Sequence, residues 1–340
     1  QTFFSEARAI GIEPMVLKNL VRGISLVKAY DAAFELRNLL KTERPDLIHI
    51  NSSMAGAVGA AAAFLYRLDP LNPVLRVVYT AHGFVFNEPL TYARKQFYIW
   101  VERISARFKG AIITVSSFDR DTAIRYKVAP ANRMVVVHNG VNPRFAIMPR
   151  AEAEQALGIQ PTTNFRIGTV ASLYPTKGIP ILVTAMKHVA AQLPMAHCYI
   201  VGDGPERTTL EQLITENNLS EKITLLGAVA NATANLKAFD LLVMPSLKEG
   251  FSYVLLEAGL ARMAVIASHV GGIPELITDH ESGLLTPPGD AGALATAIID
   301  LANNPKRREQ YGNTLHKKVL EGFTEDKMLA ETEALYQRLF

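Results

Sequence analysis

Short runs of apolar residues alternate along the chain with longer segments that mix apolar and polar positions. The runs at residues 111–115, 241–244 and 264–268 hold four or five apolar or small residues, and a turn rich in serine or glycine follows each. Runs of this kind are typical of strands buried on both faces of a parallel sheet, and the mixed segments have helical spacing. The alternation therefore predicts an α/β protein with parallel sheets.

The stretch of residues 245–257 joins one such strand to a helix. A proline and a serine end the strand, Gly250 makes a turn, Ser252 is placed to cap the helix, and helix-forming residues follow. Glu249 precedes the helix and Glu257 lies about one and a half turns inside it. The free backbone N–H groups at the helix start, near Phe251, can bind a phosphate or a polar sugar, and carboxylates accept hydrogen bonds from vicinal hydroxyls.

A second turn of the same kind follows the next strand. Gly271 and Gly272 allow the backbone to approach a ligand closely, and Pro274 suits the first turn of a short helix. The carboxyl ends of neighbouring parallel strands lie at one sheet edge, where open α/β sheets bind ligands. Two isolated glutamates are more often explained by the helix dipole and solvent exposure, and the second turn shifts the balance towards a sugar-nucleotide site.

Residues 245–290 resemble the donor-binding half of the family 4 retaining glycosyltransferases. The resemblance rests on Glu249 and Glu257 eight positions apart, on the sequence Gly-Gly-Ile-Pro-Glu at 271–275, and on Ser-Gly-Leu-Leu at 282–285. It extends over nearly the whole chain. It implies two Rossmann-like doubly wound domains facing a cleft, the GT-B arrangement, and transfer of a sugar from a nucleoside diphosphate with retention at the anomeric carbon.

The resemblance also implies roles for individual residues. Glu249 would contact the transferred sugar, and Glu257 would hold the ribose hydroxyls. Lys177, which stands beside a glycine at a predicted helix start, would stabilise the departing diphosphate, so that no cofactor and no metal are expected. The alternative for Lys177 is a solvated turn residue. The other expected donor-binding positions are Gly250, Phe251, Ser252, Gly202, Gly204, Ser172, Gly271 and Gly272.

Two positions in this set qualify the resemblance. The family normally has an arginine where Ser172 stands, so half of the expected cationic clamp is in question. His82 follows a predicted strand and precedes a glycine; a lone histidine is more often structural, but the family presents a histidine from such a loop to the transferred sugar. We therefore include His82 among the candidate catalytic residues with Glu249 and Lys177.

The length of 340 residues fits about two domains. The predicted boundaries are residues 1–148 for the acceptor-side domain, 149–322 for the donor domain, and 323–340 for a helix crossing back to the first domain. Residues 1–10 are predicted to be a helix and residues 14–17 a strand. A doubly wound domain begins with a strand and a glycine-bearing turn, so we expect the natural first strand of the first domain to be missing.

Charge is distributed unevenly along the chain. Residues 1–145 contain 19 Lys and Arg against 11 Asp and Glu, whereas residues 146–340 contain 16 against 21. A basic first half suggests an anionic surface or substrate there, although ordinary scatter of surface charge gives the same pattern. The helix predicted at 91–109 mixes aromatic and basic residues. It fits either contact with anionic lipid headgroups or a sheet-covering helix with its aromatics in the core.

Composition limits the remaining chemistry. The single cysteine, Cys198, lies within a predicted strand, which fits a reducing compartment and excludes a disulfide framework. No apolar segment approaches the ~20 residues that cross a bilayer. Asp119 and Asp121 form a D-x-D triplet, which we interpret as helix capping rather than a metal site. The expected location is the cytoplasm, with peripheral attachment to the inner face of the membrane left open.

The expected partners are a UDP or GDP sugar and a glycan or lipid-linked acceptor, and nucleic acid is not among them. Two other classes of function stay open. One is a sugar-nucleotide epimerase of similar two-domain shape. The other is a non-catalytic scaffold that binds nucleotide sugars, which the serine at position 172 slightly favours.

Overall fold

The computed structural model describes residues 2–20, 26–72 and 74–340 of the chain. The chain divides into two units. The first contains residues Gln1–His82, Gln96–Ile113 and Ala123–Val135, and the second contains Gly83–Lys95, Thr114–Thr122 and Val136–Phe340. The second unit thus takes two short segments from the region that the sequence assigns to the first domain. The boundaries at 148 and 322, and the crossing of the last helix to the first domain, stay sequence predictions.

The described residues of the N-terminal part of the chain form a four-stranded sheet in the order β1-β2-β3-β4, with helices between the strands. Its elements are α1 (Thr2–Ala9), α2 (Leu26–Glu43), β1 (Leu47–Asn51), α3 (Ser53–Arg67), β2 (Arg76–Ala81), α4 (Tyr92–Ser105), β3 (Ala111–Thr114), α5 (Ser117–Arg125) and β4 (Met134–Val136). The strand β1 pairs in parallel with β2 along its whole length. The residues of β2 and β3 are almost all buried, as is typical of strands covered on both faces of a parallel sheet.

The predicted strand at residues 14–17 is wrong. This segment is irregular, and Met15 and Val16 are 50% and 64% exposed. Among the residues that the structure describes, no strand pairs with this short apolar run, and its β propensity alone does not form a strand. The predicted helix at 91–109 is also shorter than expected, since α4 ends at Ser105 and a 3-10 turn covers Ala106–Phe108.

The C-terminal part carries six strands in the order β10-β9-β8-β5-β6-β7, all of them parallel pairs. Its strands are β5 (Phe165–Val170), β6 (Ala196–Val201), β7 (Ile223–Gly227), β8 (Leu241–Met244), β9 (Val265–Ser268) and β10 (Leu284–Thr286). Its helices are α6 (Arg150–Ala156), α7 (Ile179–Gln192), α8 (Arg207–Glu216), α9 (Tyr253–Leu260), α10 (Ile273–Leu276), α11 (Ala291–Asn303), α12 (Pro305–Gly322) and α13 (Glu325–Arg338).

The chain order of this sheet reverses at its centre. From β5 the chain builds outward through β6 and β7, then returns to the other side of β5 and builds outward again through β8, β9 and β10. The crevice at such a reversal lies beside the carboxyl ends of β5 and β8. Strands β8 and β9 are fully buried, β5 is buried except at its two end residues, and two apolar clusters cover the two faces of the sheet.

No helix in the part of the chain that the structure describes combines the length and the apolar character needed to cross a bilayer.

Candidate functional site

Four loops meet at the carboxyl edge of the six-stranded sheet. They are residues 202–206 after β6, 171–178 after β5, 245–252 after β8 and 269–275 after β9. Backbone hydrogen bonds join each loop to the next: Leu173 N donates to Asp203 O (3.0 Å), Leu247 N to Thr176 O (2.8 Å) and Gly272 N to Gly250 O (3.0 Å). Because the loops are joined in this way, they form one continuous rim rather than independent turns.

Two glycines make this close approach of the loops feasible. Gly271 has φ of +55°, and a Cβ there would overlap the carbonyl oxygen of Glu249. Gly202 has φ of +143°, and a Cβ there would overlap the carbonyl oxygen of Ala171. A side chain at either position would therefore force neighbouring loops apart. Of the other predicted glycines, Gly204 lies in the loop of Gly202, Gly272 lies in the loop of Gly271, and Gly250 lies in the loop of Glu249.

Lys177 and Glu249 form an ion pair across the sheet's central crevice. The Nζ atom of Lys177 lies 2.6 Å from Oε1 of Glu249, and the hydroxyl of Ser246 donates to the same oxygen over 2.9 Å. The side chain of Glu249 is only 10% exposed, whereas that of Lys177 is 29% exposed. The carboxylate is thus held at one oxygen by two donors, one of which, Ser246, is fully buried.

Glu257 lies on α9, on the same strand-to-helix unit as Glu249. Its side chain is half-buried, and burial raises its pKa although the Thr233 hydroxyl, by hydrogen bonding, acts to lower it. Ser252 occupies the N-cap position of α9, but its side chain makes no capping hydrogen bond there, so the predicted capping role of its hydroxyl is wrong. The Ser252 carbonyl accepts the first intrahelical bond, from Leu256 N, as the carbonyl at any N-cap does, and this bond does not replace a side-chain cap.

Ser172 and His82 are the other two polar residues of the predicted site. Ser172 is exposed on the loop after β5, where the resemblance leads us to expect an arginine. His82 directly follows β2 and is the last residue of the first unit's opening segment. Its predicted contact with the transferred sugar stays a prediction.

A cavity of about 450 Å³ adjoins Glu249 within the second unit. Its lining residues come from four separate parts of the chain: Asn87, Phe118, Leu247, Lys248, Glu249, His269, Val270, Gly271, Pro274 and Glu275. One wall is held by an ion pair of 2.9 Å between Lys248 and Glu88. Sequence reasoning did not assign the contributions of residues 83–95 and 114–122, because nothing in those segments signals that they join the donor loops.

Glu275 is the functional-site residue that the sequence analysis named in a motif but left without a role. It accepts hydrogen bonds of 3.0 Å from the backbone N–H groups of Ser117 and Phe118, at the start of α5, and lies 2.7 Å from the ring of His138. Burial alone would raise its pKa, but these three hydrogen bonds outweigh it and lower the pKa below the usual value. The sequence points to Glu275 only through its place after Pro274 at the end of the Gly-Gly-Ile-Pro-Glu motif, which does not reveal what it contacts.

Of the D-x-D triplet only Asp119 lies in the first turn of α5, and Asp121 lies just beyond that turn. The Asp119 carboxylate accepts from the Asn87 amide (2.8 Å) and the Ser116 hydroxyl (2.9 Å), and burial raises its pKa. Asp121 instead pairs with Arg120 beside it. Both carboxylates therefore serve local contacts. Among the residues that the structure describes, no three His, Cys, Asp or Glu side chains gather as metal ligands would.

Comparison with known proteins identifies the family. The model described as "Glycosyltransferase Family 4" matches residues 5–145, and that described as "Glycosyl transferases group 1" matches residues 150–318. A galactosyltransferase of Escherichia coli, named UDP-Gal:alpha-D-GlcNAc-diphosphoundecaprenol alpha-1,3-galactosyltransferase, is 28% identical over 96% of this chain and 84% of its own length.

Solved structures show the same likeness. HepE of Anabaena, solved with UDP and glucose, is 25% identical, with 99% of this chain and 89% of that chain covered and a TM-score of 0.83. Sucrose-phosphate synthase of Thermosynechococcus elongatus is 26% identical, with 94% and 80% covered and a TM-score of 0.79. The predicted fold class, two parallel-sheet domains of the GT-B type, is confirmed. The chain therefore belongs to the family 4 glycosyltransferases.

Proposed function

We propose that this glycosyltransferase moves a hexose-type sugar from a UDP sugar to a lipid-linked or glycan acceptor, with retention at the anomeric carbon and without a divalent metal. The sequence did not distinguish UDP from GDP as the nucleotide of the donor. The name of the E. coli relative contains UDP-Gal, and HepE is solved with UDP and glucose, so both favour the uridine nucleotide.

The ion pair of Lys177 with Glu249 is the observation that carries this proposal. It lies at the reversal of strand order, where the loops after β5 and β8 meet. The ammonium of Lys177 supplies positive charge for a diphosphate leaving group, next to the N-terminal end of α7. Lys177 and Ser246 both donate to Oε1 of Glu249. We therefore propose that Oε2 accepts hydrogen bonds from the hydroxyls of the transferred sugar.

Glu257 takes the nucleoside side of the site in this proposal. It follows Glu249 by eight residues on the same strand-to-helix unit, and its half-buried carboxylate suits two vicinal hydroxyls of a ribose. We propose that backbone N–H groups at Gly250 and Phe251, with the loops of Gly202, Gly204, Ser172, Gly271 and Gly272, complete the donor site.

In the proposed reaction the bond between the anomeric carbon and the β-phosphate oxygen breaks, and a bond to the acceptor oxygen forms. The nucleoside diphosphate leaves with the electron pair of the broken bond, and its departing phosphate oxygen takes the proton of the acceptor hydroxyl. Lys177 lowers the barrier by holding the charge that develops on that oxygen. Because a fixed ammonium performs this task, we expect transfer to continue when divalent metals are chelated.

The acceptor class follows from the named relative, whose acceptor carries a diphosphoundecaprenol lipid. A lipid-linked acceptor is presented at a membrane surface, so the proposal includes peripheral attachment to the cytoplasmic face. The buried thiol of Cys198, whose pKa burial raises to about 12, suits a reducing compartment.

The proposal is tested by incubating the full chain with UDP and GDP sugars, with and without a chelator and a lipid-linked acceptor. Release of UDP with an acceptor product whose anomeric configuration equals that of the donor supports it. Formation of a different sugar nucleotide would instead identify an epimerase, and nucleotide binding without turnover would identify a scaffold.

A further inference from the structure

The helix α4 presents Phe97 and Trp100 to solvent and buries its one acid, Glu102, on the opposite side. Trp100 and Phe97 are 58% and 49% exposed. Ile99, Glu102 and Ser105 on the opposite side are buried. A helix that covers a sheet normally buries its large apolar side chains and exposes its charges. These two aromatics do not lie in the core, which is the observation that favours the lipid-contact interpretation over an ordinary sheet-covering helix.

Polar contacts fix this orientation of α4. The buried ammonium of Lys109 lies 3.4 Å from Glu102, 2.9 Å from the Ser105 hydroxyl, and 3.7 Å from the centre of the Tyr79 ring. Rotating the helix to bury Trp100 would leave Lys109 charged and unpaired in the interior, at a high desolvation cost. The aromatic exposure is therefore built into the packing of the first unit.

The exposed charged side chains of α4 and of the turn after it are all basic. Arg103 and Arg107 are both exposed, and Arg103 is held by a 2.7 Å hydrogen bond from its Nε to the Tyr126 carbonyl. The one acid of α4, Glu102, is buried. Aromatic rings beside arginines match the boundary between the headgroups and the acyl chains of an anionic bilayer.

We propose that the aromatic face of α4, defined as Phe97, Trp100, Arg103 and Arg107, docks on an anionic lipid surface. Phe97 and Trp100 enter the headgroup region, and the two arginines pair with lipid phosphates. This inference deepens the proposed function, and it rests on that function for the lipid-linked acceptor. An anionic lipid surface fits better than a second copy of the chain, because two copies would bring four arginines together in one interface.

The test is sedimentation of the full chain with phosphatidylcholine vesicles that contain or lack phosphatidylglycerol. The unchanged chain should bind the anionic vesicles, with affinity that falls as salt rises. The double variant Phe97→Ser, Trp100→Ser should lower this affinity about tenfold or more. The double variant Arg103→Gln, Arg107→Gln should lower it on anionic vesicles and flatten its salt dependence. Leu329→Ser, on α13 and 49% exposed, is the matched control and should bind as the unchanged chain does.

Equal binding of the unchanged chain and the Phe97, Trp100 variant would overturn the proposal. So would a concentration-dependent dimer, seen by light scattering, that the same variant dissociates. UDP affinity and hydrolysis of the UDP sugar without acceptor are measured in parallel and should be the same in all variants. If vesicle binding behaves as expected while no sugar is transferred, the proposed function is wrong and the docking surface stands. If sugar is transferred but the chain does not bind vesicles, the docking surface is wrong and the proposed function stands.

Discussion

The way Glu249 is held makes Ser246 a positioning residue for the donor sugar. Its hydroxyl shares Oε1 of Glu249 with Lys177, so the carboxylate stays oriented even when the ammonium turns towards a diphosphate. Ser246→Ala removes one hydrogen bond to a charged group, worth about 1.5–3 kcal/mol, and should lower kcat/KM for the donor by roughly one to two orders of magnitude.

The measurement separates positioning from binding of the nucleotide. UDP affinity should change little in Ser246→Ala, because UDP lacks the transferred sugar that Glu249 is proposed to contact. Ser268→Ala, a buried serine at the end of the neighbouring strand β9, serves as the control for loss of a buried hydroxyl. A parallel loss of UDP affinity, or an equal loss of kcat/KM in the control, would contradict the assigned role.

Glu257 should make nucleotide affinity depend on pH. Burial raises its pKa, so it takes up a proton at a higher pH than an ordinary glutamate does. The protonated carboxyl accepts ribose hydroxyls less well, and UDP affinity should therefore fall as the pH drops through this raised pKa. Glu257→Ala should weaken UDP binding about tenfold or more at neutral pH.

Comparison with Glu257→Gln isolates this effect from titration of the UDP phosphate. The variant keeps the size of the side chain but cannot titrate, so its pH profile should lack the component due to residue 257. Calorimetric titration at a series of pH values gives both profiles. If they are superimposable, the ribose role of Glu257 is wrong.

Among the elements, the start of α5 depends on a side chain from α10. The carboxylate of Glu275 accepts from two N–H groups in the first turn of α5, where the helix dipole also favours negative charge. A glutamine side chain has one acceptor oxygen instead of two and carries no charge, so it cannot accept from both N–H groups as the carboxylate does. Glu275→Gln should therefore lower the free energy of unfolding of the second unit by about 2 kcal/mol. Glu216→Gln, exposed at the end of α8, should change it little.

The pH dependence of that loss has a definite sign. The pKa of Glu275 lies below its usual value, so its stabilisation is fully present above the pKa that it has in the unfolded chain. The stabilisation is lost as the pH falls through the lowered pKa of the folded state. Urea unfolding should therefore show the difference between the chain and Glu275→Gln shrinking at acid pH; a difference that stays constant would exclude an ionised Glu275 as its source.

The elements also show how far the sequence could predict this protein. Apolar runs such as 241–244 and 264–268 correctly predicted the buried strands β8 and β9. The orientation of α4 could not be predicted, because the partner that fixes it, Lys109, lies beyond the helix. The irregular segment at 14–17 failed because strand pairing is a tertiary property.

In the whole second unit, strand order decides which predicted residues meet. Lys177 follows β5 and Glu249 follows β8, strands that are 70 residues apart in the chain but adjacent at the reversal of the sheet. Turn chemistry predicted each loop by itself. The contributions of Asn87 and Phe118 to the cavity could not be predicted, because each belongs to a segment whose own pattern only indicates a loop or a helix start.

This arrangement predicts where UDP slows backbone hydrogen exchange across the chain. The proposed UDP contacts all lie in loops and a helix of the second unit, so amides in 171–178, 202–206 and 245–260 should gain protection, while those of β1 and β2 should not. Mass-resolved exchange with and without saturating UDP gives the map, and Glu257→Ala at the same UDP concentration is the control in which the gain should fall. Protection that is strongest in β1 and β2 would place the nucleotide in the first unit and contradict the assignment of the donor site.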